Sequence, residues 1–428
     1  MSLWKIAGVS LALASVGAPQ SVSPDLLLLS RIKIHMREEL SHTPNYTCLE
    51  TISRFRNNPG SHSQPQRQLA PLDTVRLEIV YSNHREWYGA PGDRNLSVDD
   101  PGTFIGSGMI GNGAFAATLN NILEAASFTY RGEENLDGRR AVKYDFRLRR
   151  LLNAFRISIP GGDGTVGEEG SFWADPESLD LIRLKSRADE IPPSLPLAEA
   201  SESVNYARMR IGDDNVLLAQ QADLHMLHAS GMESYNRLDF THCHAYSAHS
   251  DLRFDPNPEE PAQASIPNPA DGAGQNIPAS LLVTVELTIS ISDPDSVGAV
   301  IEGKVSGDVL RKGKIVIPRG AVVRGRIRRL ERSPEGGAFI LALEFTEVDA
   351  PGGSLPFYAD LLRIDKNPEI QPIFSERVIV NSSQGVQARE EAITITELPG
   401  VASLLVSGTT FTIPSGFRMV WRTRGPIR

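Results

Sequence analysis

Cysteine is almost missing from this sequence: Cys48 and Cys243 are the two among 428 residues. That scarcity excludes a cysteine-rich metal module or a small multi-disulfide scaffold. Histidine is scarce as well, nine in all, although His225, His228, His242, His244 and His249 gather around Cys243. Zinc needs three or four ligands converging at ~2 Å. His242 and His244 share a strand face that Cys243 does not, so no metal site is read here. A G-x-S-x-G elbow, an H-E-x-x-H pair and a P-loop are all missing, and no catalytic residue is assigned. Gly106 to Gly111 ("GSGMIG") has G-x-G-x-x-G spacing. It follows the polar turn "SVDDPG" and precedes hairpins, whereas a dinucleotide site needs a feeding strand and a parallel unit. No cofactor is expected. A net charge of -9 and few aromatics, 7%, argue against a nucleic-acid partner.

Long apolar runs are missing too. The longest stands at the start, in "MSLWKIAGVSLALASVGAPQ". Lys5 supplies a basic end, Ile6 to Ala14 an apolar stretch, and Ala12-Leu13-Ala14 a small-residue cleavage site after Ala14. Val16-Gly17-Ala18 is also small, but Pro19 would follow that cut. The run is shorter than the ~20 residues a span requires. Residues 1–22 therefore read as signal peptide and leader. The mature chain is expected to be exported, periplasmic or otherwise in the envelope or secreted, and not membrane-spanning. In an oxidising compartment Cys48 and Cys243 are predicted to pair. Closing a loop of 195 residues contributes about 5 kcal/mol at most. Two buried free thiols are the alternative.

What is present is alternation. Ser23, Pro24 and Asp25 open a helix whose face carries Leu29, Ile32, Met36 and Leu40, ended by Pro44. In "NYTCLETISRF" Cys48, Glu50 and Ile52 alternate with Thr47, Leu49 and Thr51, a strand. Phe115, Leu119, Ile122 and Ala126 mark a second amphipathic helix. Hairpins follow, turning at Asp137-Gly138, Asp175-Pro176, Asp213-Asp214-Asn215 and Ser230-Gly231. Residues 23–254 thus read as an α+β domain, a curved antiparallel sheet or open half-barrel with two or more helices. Residues 255–279 are a Pro/Gly/Ala-rich linker. Residues 280–428 read as an all-β small barrel, with a short echo between "IVIPRGAVVRGR" (315–326) and "FTIPSGFRMVWR" (411–422).

The leading helix, "GAFAATLNNIL", and the pair "YRGEENLDGRRAVKYDF" and "GSFWADPESLDLIRLK" resemble the periplasmic lipoprotein-carrier group, half-barrels of the lipoprotein-sorting chaperone type. The resemblance covers about residues 23–254. It implies a concave apolar face that holds acyl chains or lipidated partners, lined here by Phe128, Tyr130, Val142, Tyr144, Phe146, Phe155, Ile157, Phe172, Trp173 and Leu181. Core filling is the competing role for each. "GKIVIPRGAVVRGRI" is similar to the β-barrel domain of conjugal-transfer and type IV secretion channel proteins. The membrane span and cytoplasmic tail of such channels are not found here, so a borrowed barrel module is expected.

One charge feature stands out. Arg324, Arg326 and Arg328 alternate along one strand, so their guanidinium groups leave the same face. Such planar donors suit phosphate or carboxylate arrays, and an anionic envelope surface is the expected partner. Glu302, Glu331 and Glu344 are the residues that would neutralise them instead. The expectation is an exported, non-catalytic bacterial envelope protein that binds an apolar or lipidated ligand in the half-barrel, with the barrel as adaptor. The rivals are an envelope scaffold or stress-sensor subunit without a cavity, and an enzyme acting on envelope polymers.

Overall fold

A computed structural model describes residues 23–57, 69–82, 85–92, 115–153, 156–159, 161–246, 277–333, 337–351, 353–373, 377–381, 390–394 and 400–425. Ala14 and the signal segment, residues 255–276 of the linker, Gly106–Gly111, Phe155 and His249 lie outside them.

Helix α1 (Pro24–His42) begins where Pro24 predicts. The Ser23 carbonyl accepts the Leu27 amide, while its side chain makes no cap. Leu29, Ile32 and Met36 are buried, the predicted face. Helix α2 (Phe115–Ala125) buries Leu119, Ile122 and Leu123. Twelve strands follow the same alternation: β1 (Tyr46–Arg56), β2 (Ala70–Ser82), β3 (Arg85–Gly89), β4 (Ser127–Leu136), β5 (Arg139–Leu148), β6 (Arg156–Ile159), β7 (Gly162–Thr165), β8 (Gly167–Ala174), β9 (Leu181–Asp189), β10 (Leu197–Ile211), β11 (Asp214–His228) and β12 (Glu233–Ala245).

Ten of these form one antiparallel sheet in the order β3-β2-β1-β12-β11-β10-β9-β8-β5-β4; β6 and β7 make a separate hairpin. Asp137 and Gly138 both take positive φ, 51° and 87°, the backbone that a tight two-residue hairpin turn demands. One predicted turn shifts: Ile211 pairs with Asp214, so Gly212 and Asp213 turn the β10–β11 hairpin. Gly212, at φ 63°, takes the left-handed position that an aspartate would adopt less readily.

The last long strand returns beside the first. Cys48 on β1 and Cys243 on β12 form a disulfide, with Cα atoms 4.1 Å apart. Thr47 pairs with His244 and Leu49 with Thr241, so two β12 residues oppose Cys48 in a bulge where His242 has φ 53°.

Beyond residue 277 a nine-stranded antiparallel sheet is built mainly from strands 359–364, 418–423, 282–287, 300–305, 322–332, 338–350, 401–407 and 370–373, in that spatial order. The Gly400 amide donates to the Asp360 side chain (3.0 Å), tying the end strand 359–364 to the start of strand 401–407, next to the other end, in a nearly closed barrel. The sequence echo is structural. Gly320 donates to the Val305 carbonyl and receives Val305's neighbourhood through Ala321, which accepts from the Val305 amide. Gly416 and Phe417 make the same pair of bonds with Leu287.

The two sheets meet along β2. Val75 bridges Val297, with Arg76 N to Val297 O at 3.0 Å and Val297 N to Thr74 O at 2.9 Å. A Cβ at Gly298 would stand 2.6 Å from the Arg76 carbonyl, so only glycine permits this approach. Arg54, paired with Asp73 inside the junction, lies 4.0 Å from Glu331, which Arg329 holds at 2.8 Å. One apolar core runs through both sheets and takes in Ile277 at the end of the predicted linker.

Candidate functional site

The residues expected to line a hollow are divided by the sheet. Val142, Tyr144, Phe146, Phe172 and Leu181 are buried in the main core, with Phe128 packed partly buried against it. The Tyr144 hydroxyl donates to the Asp25 carbonyl, so the start of α1 lies over these strands. Tyr130 is exposed. Trp173 faces the other way, in a small cluster with Ala141 and Ile182 beneath Lys143 and Lys185. The buried faces of α1 and α2 and the inner residues of β5, β8 and β9 belong to one core, so packing takes the role expected of a hollow there.

Open space lies at the other half. A cleft of about 690 Å3, its open mouth included, runs between the last turns of α1 and strands β1, β2, β3, β10, β11 and β12. Met36, Leu40, Leu119, Leu217 and Phe240 give it apolar walls. Alternation puts Cys48 and Ile79 on its floor, so the disulfide lies against it. Tyr46 and Tyr81 stack at 5.2 Å between ring centroids and line it with Glu86. None of the nine predicted lining residues that are described borders this cleft.

Two carboxyls set its electrostatics, Glu86 in the wall and Glu50 buried behind it on the strand face of Cys48. Glu50, 1% exposed, shares a β1 face with Cys48 and Ile52, and its Oε1 has no hydrogen-bond partner among the described residues. Burial, and then repulsion from Glu86, pushes it up to about 8. Glu86 is pushed up to about 7 by burial, which outweighs the hydrogen bond that Tyr88 donates to its Oε2 (2.7 Å). Burial and then Glu86 also raise the Tyr46 and Tyr88 hydroxyls. On the far wall Tyr206 is buried, its hydroxyl likewise unpartnered among the described residues.

An ionic clasp holds α1 across the sheet. Arg208 donates to Asp180 from both Nε (2.8 Å) and Nη2 (2.6 Å), and to Glu39 of α1 (3.0 Å). His35 of α1 lies 2.9 Å from Asp180. Burial pushes Asp180 up, but the hydrogen bonds from Arg208 and His35 together outweigh it and hold the carboxyl below its ordinary value.

A second, shallower cleft of about 390 Å3, also counted to its mouth, lies under the β6–β7 hairpin. Ile157, from the predicted lining set, borders it with Glu168 and Glu202. Burial, then Glu168, pushes Glu202 up to about 8. Asn153 donates to Glu168 (3.1 Å) and accepts from Asn121 of α2 (2.9 Å).

The arginine strand leaves one face as predicted, but its charge is answered within the sheet. Arg324 is bidentate to Asp349 (2.8 and 3.2 Å), Arg326 donates to the Gly298 carbonyl (3.1 Å), and Arg328 pairs with Glu344 (3.3 Å). Of the acids named as able to neutralise the strand, Glu344 pairs with Arg328, and an anion would compete with it, with Asp349 and with the Gly298 carbonyl. Among the histidines, His225 is 2.7 Å from Glu233 and His228 is 2.7 Å from Ser230.

Sequence reasoning missed Glu50, Glu86 and Tyr206. For Glu50 the signal was present: an acid on the apolar side of an alternating strand. Glu86 and Tyr206 gave none, because only strand order brings β3 and β10 to one cleft.

No protein-family model matches the chain, and no curated protein does. Among solved structures, the chain is similar to a domain described as an outer membrane lipoprotein-sorting protein from Vibrio parahaemolyticus, at 9% identity and TM-score 0.30, over 52% of this chain and 93% of that one. It is similar to a DUF1329 family protein from Desulfovibrio piger, at 11% identity and TM-score 0.31, over 55% and 98%. A protein of the Com type IV secretion system of Helicobacter pylori matches at 13% identity and TM-score 0.19, over 34% and 86%. Both resemblances read from the sequence return in these structures.

Proposed function

We propose that this chain is an exported, non-catalytic envelope protein that holds an apolar or acylated ligand between α1 and the β1–β3/β10–β12 half of its first sheet. The barrel beyond residue 277 then serves as an adaptor, fixed to β2. The observation that carries this reading is the cleft itself: apolar walls, a helix clasped over it, and a disulfide at its floor. Concave, mostly apolar sites with a few fixed polar groups are where small ligands bind. Catalysis is the weaker reading. An acid–base pair needs two carboxyls whose environments drive their pKa values apart. Here Glu50 and Glu86 are driven the same way, as are Glu168 and Glu202.

A scaffold or sensor role has one observation in its favour, the filled half of the concavity. Mass spectrometry of the protein purified from native envelopes, without detergent exchange, separates the two. The binding reading predicts stoichiometric acyl-bearing molecules released on denaturation. A preparation free of them, from cells whose other lipid-binding proteins carry theirs, supports the scaffold.

A further inference from the structure

Among the described residues that line it, the cleft carries acids and aromatic rings at one end and no cation. Glu50 and Glu86 repel one another there, and the rings of Tyr46, Tyr81 and Tyr88 belong to the same cluster. Glu50 is 1% exposed, and its Oε1 is a buried acceptor with no donor among the described residues. The charged and titratable groups around the pair come from every packed element. They are Tyr46 of β1, Tyr81 of β2, Tyr88 of β3, Tyr206 and Arg208 of β10, and Glu39 of α1. Arg208 is the cation among them, and it is held by Asp180 and Glu39. Buried acids are ordinarily paired with a cation or with hydrogen-bond donors.

We propose that this end is a cation subsite: it takes the ammonium group of a single-chain amphiphile whose alkyl chain lies along Met36, Leu40, Leu119 and Phe240. An ammonium group placed over tyrosine faces and beside carboxylates is stabilised by the ring quadrupoles and by direct charge pairing. It also answers the repulsion that keeps both acids from ionising together. The enclosed space of the cleft is about 50 Å3, which favours one chain over several and requires its walls to part as the chain enters. The inference rests on the binding reading above and adds the chemistry of the head group.

Ionisation fixes the sign of the pH dependence. Both acids hold their protons above the ordinary carboxylate range, so a cation binds best once they are lost. Affinity for a permanent cation therefore rises as pH rises through the range from about 7 to about 8. Affinity for a carboxylate of the same chain length falls over that range.

The experiment titrates the full chain with decyltrimethylammonium, decanol and decanoate, each below its micelle concentration, by displacement of a neutral apolar fluorophore. At ~pH 9 the ammonium is expected to bind about tenfold tighter than decanol, equivalent to about 1.4 kcal/mol, and decanoate weaker than either. At ~pH 5.5 that advantage shrinks. Glu50→Gln with Glu86→Gln should bring the ammonium down to the affinity that decanol shows for the same variant. Equal binding of the three at ~pH 9, or an ammonium preference that survives the double substitution, overturns the cation subsite and leaves the binding reading standing. Failure of all three to displace the fluorophore overturns both. Should the double variant not fold, the pH series on the unaltered chain decides by its sign alone.

Discussion

Glu50 shows how one residue can mark a site and unsettle a fold. The folded chain holds its proton up to about pH 8, whereas an exposed glutamate loses it near 4.5. Between those values the native state binds more protons than the unfolded chain, so stability falls as pH rises and levels off above the window. Glu86 acts in the same direction over a narrower range. Thermal unfolding of the unaltered chain and of Glu50→Gln, followed from ~pH 5 to ~pH 9, checks this. The variant keeps the side chain's shape and has no proton to lose, so its Tm should decline less over the window; parallel curves would place the charge cost elsewhere. The position was legible in "NYTCLETISRF", where an acid shares parity with Cys48 and Ile52. The clustering with Glu86 and the tyrosines was not, because it depends on β3 folding back beside β2. By contrast Phe128 to Leu181 read equally well as cavity or core, since both demand apolar residues on one strand face. The helices that lie over those strands decided it.

At the scale of elements, α1 is held by its buried Leu29–Ile32–Met36 face and by an ionic clasp at its C-terminal half. Its N-terminal half sits over β4 and β5 through Tyr144, while its C-terminal half is moored by Arg208 to Glu39, a partner 169 residues away in sequence. The helix itself was readable from Pro24 and the Leu29–Ile32–Met36 stripe. Its mooring was not, because a salt bridge of that separation leaves no local pattern. Arg208→Met keeps much of the apolar stem and removes the fork. It should raise amide hydrogen exchange within 24–42 and cost about 1–2 kcal/mol, a figure lowered by partial exposure. Unchanged exchange in α1 would show that packing alone holds the helix over the cleft. The β1–β12 staple belongs to the same scale. Compartment and scarcity pointed to Cys48 and Cys243, and strand order then made them neighbours across a bulge.

Across the whole molecule, alternation, turn residues and the Pro-x-Gly echo were enough to indicate two antiparallel sheets. They did not reveal that the sheets share a core. Glycine at 298 lets the backbone reach β2, and the buried Arg54–Asp73 pair has Glu331 beside it. The Arg54–Asp73 pair lies within the first sheet, and what crosses to the second is the Arg54–Glu331 approach at 4.0 Å and the backbone bonds of Val297 with Thr74 and Arg76. The arginine strand, expected to look outward to an anionic surface, instead supplies Arg326 to the Gly298 carbonyl at this junction. The resulting picture is a two-sheet body with one half-open end, and its central claim is that an apolar molecule occupies that end. Ala219 lines the cleft beside Tyr206 and offers the most direct test. Titrating a neutral apolar fluorophore into the unaltered chain and into Ala219→Trp should give one saturable site in the first and at least about a tenfold loss of affinity in the second, with the unfolding transition retained. Equal binding by the two proteins, or none by the unaltered chain, would contradict the account.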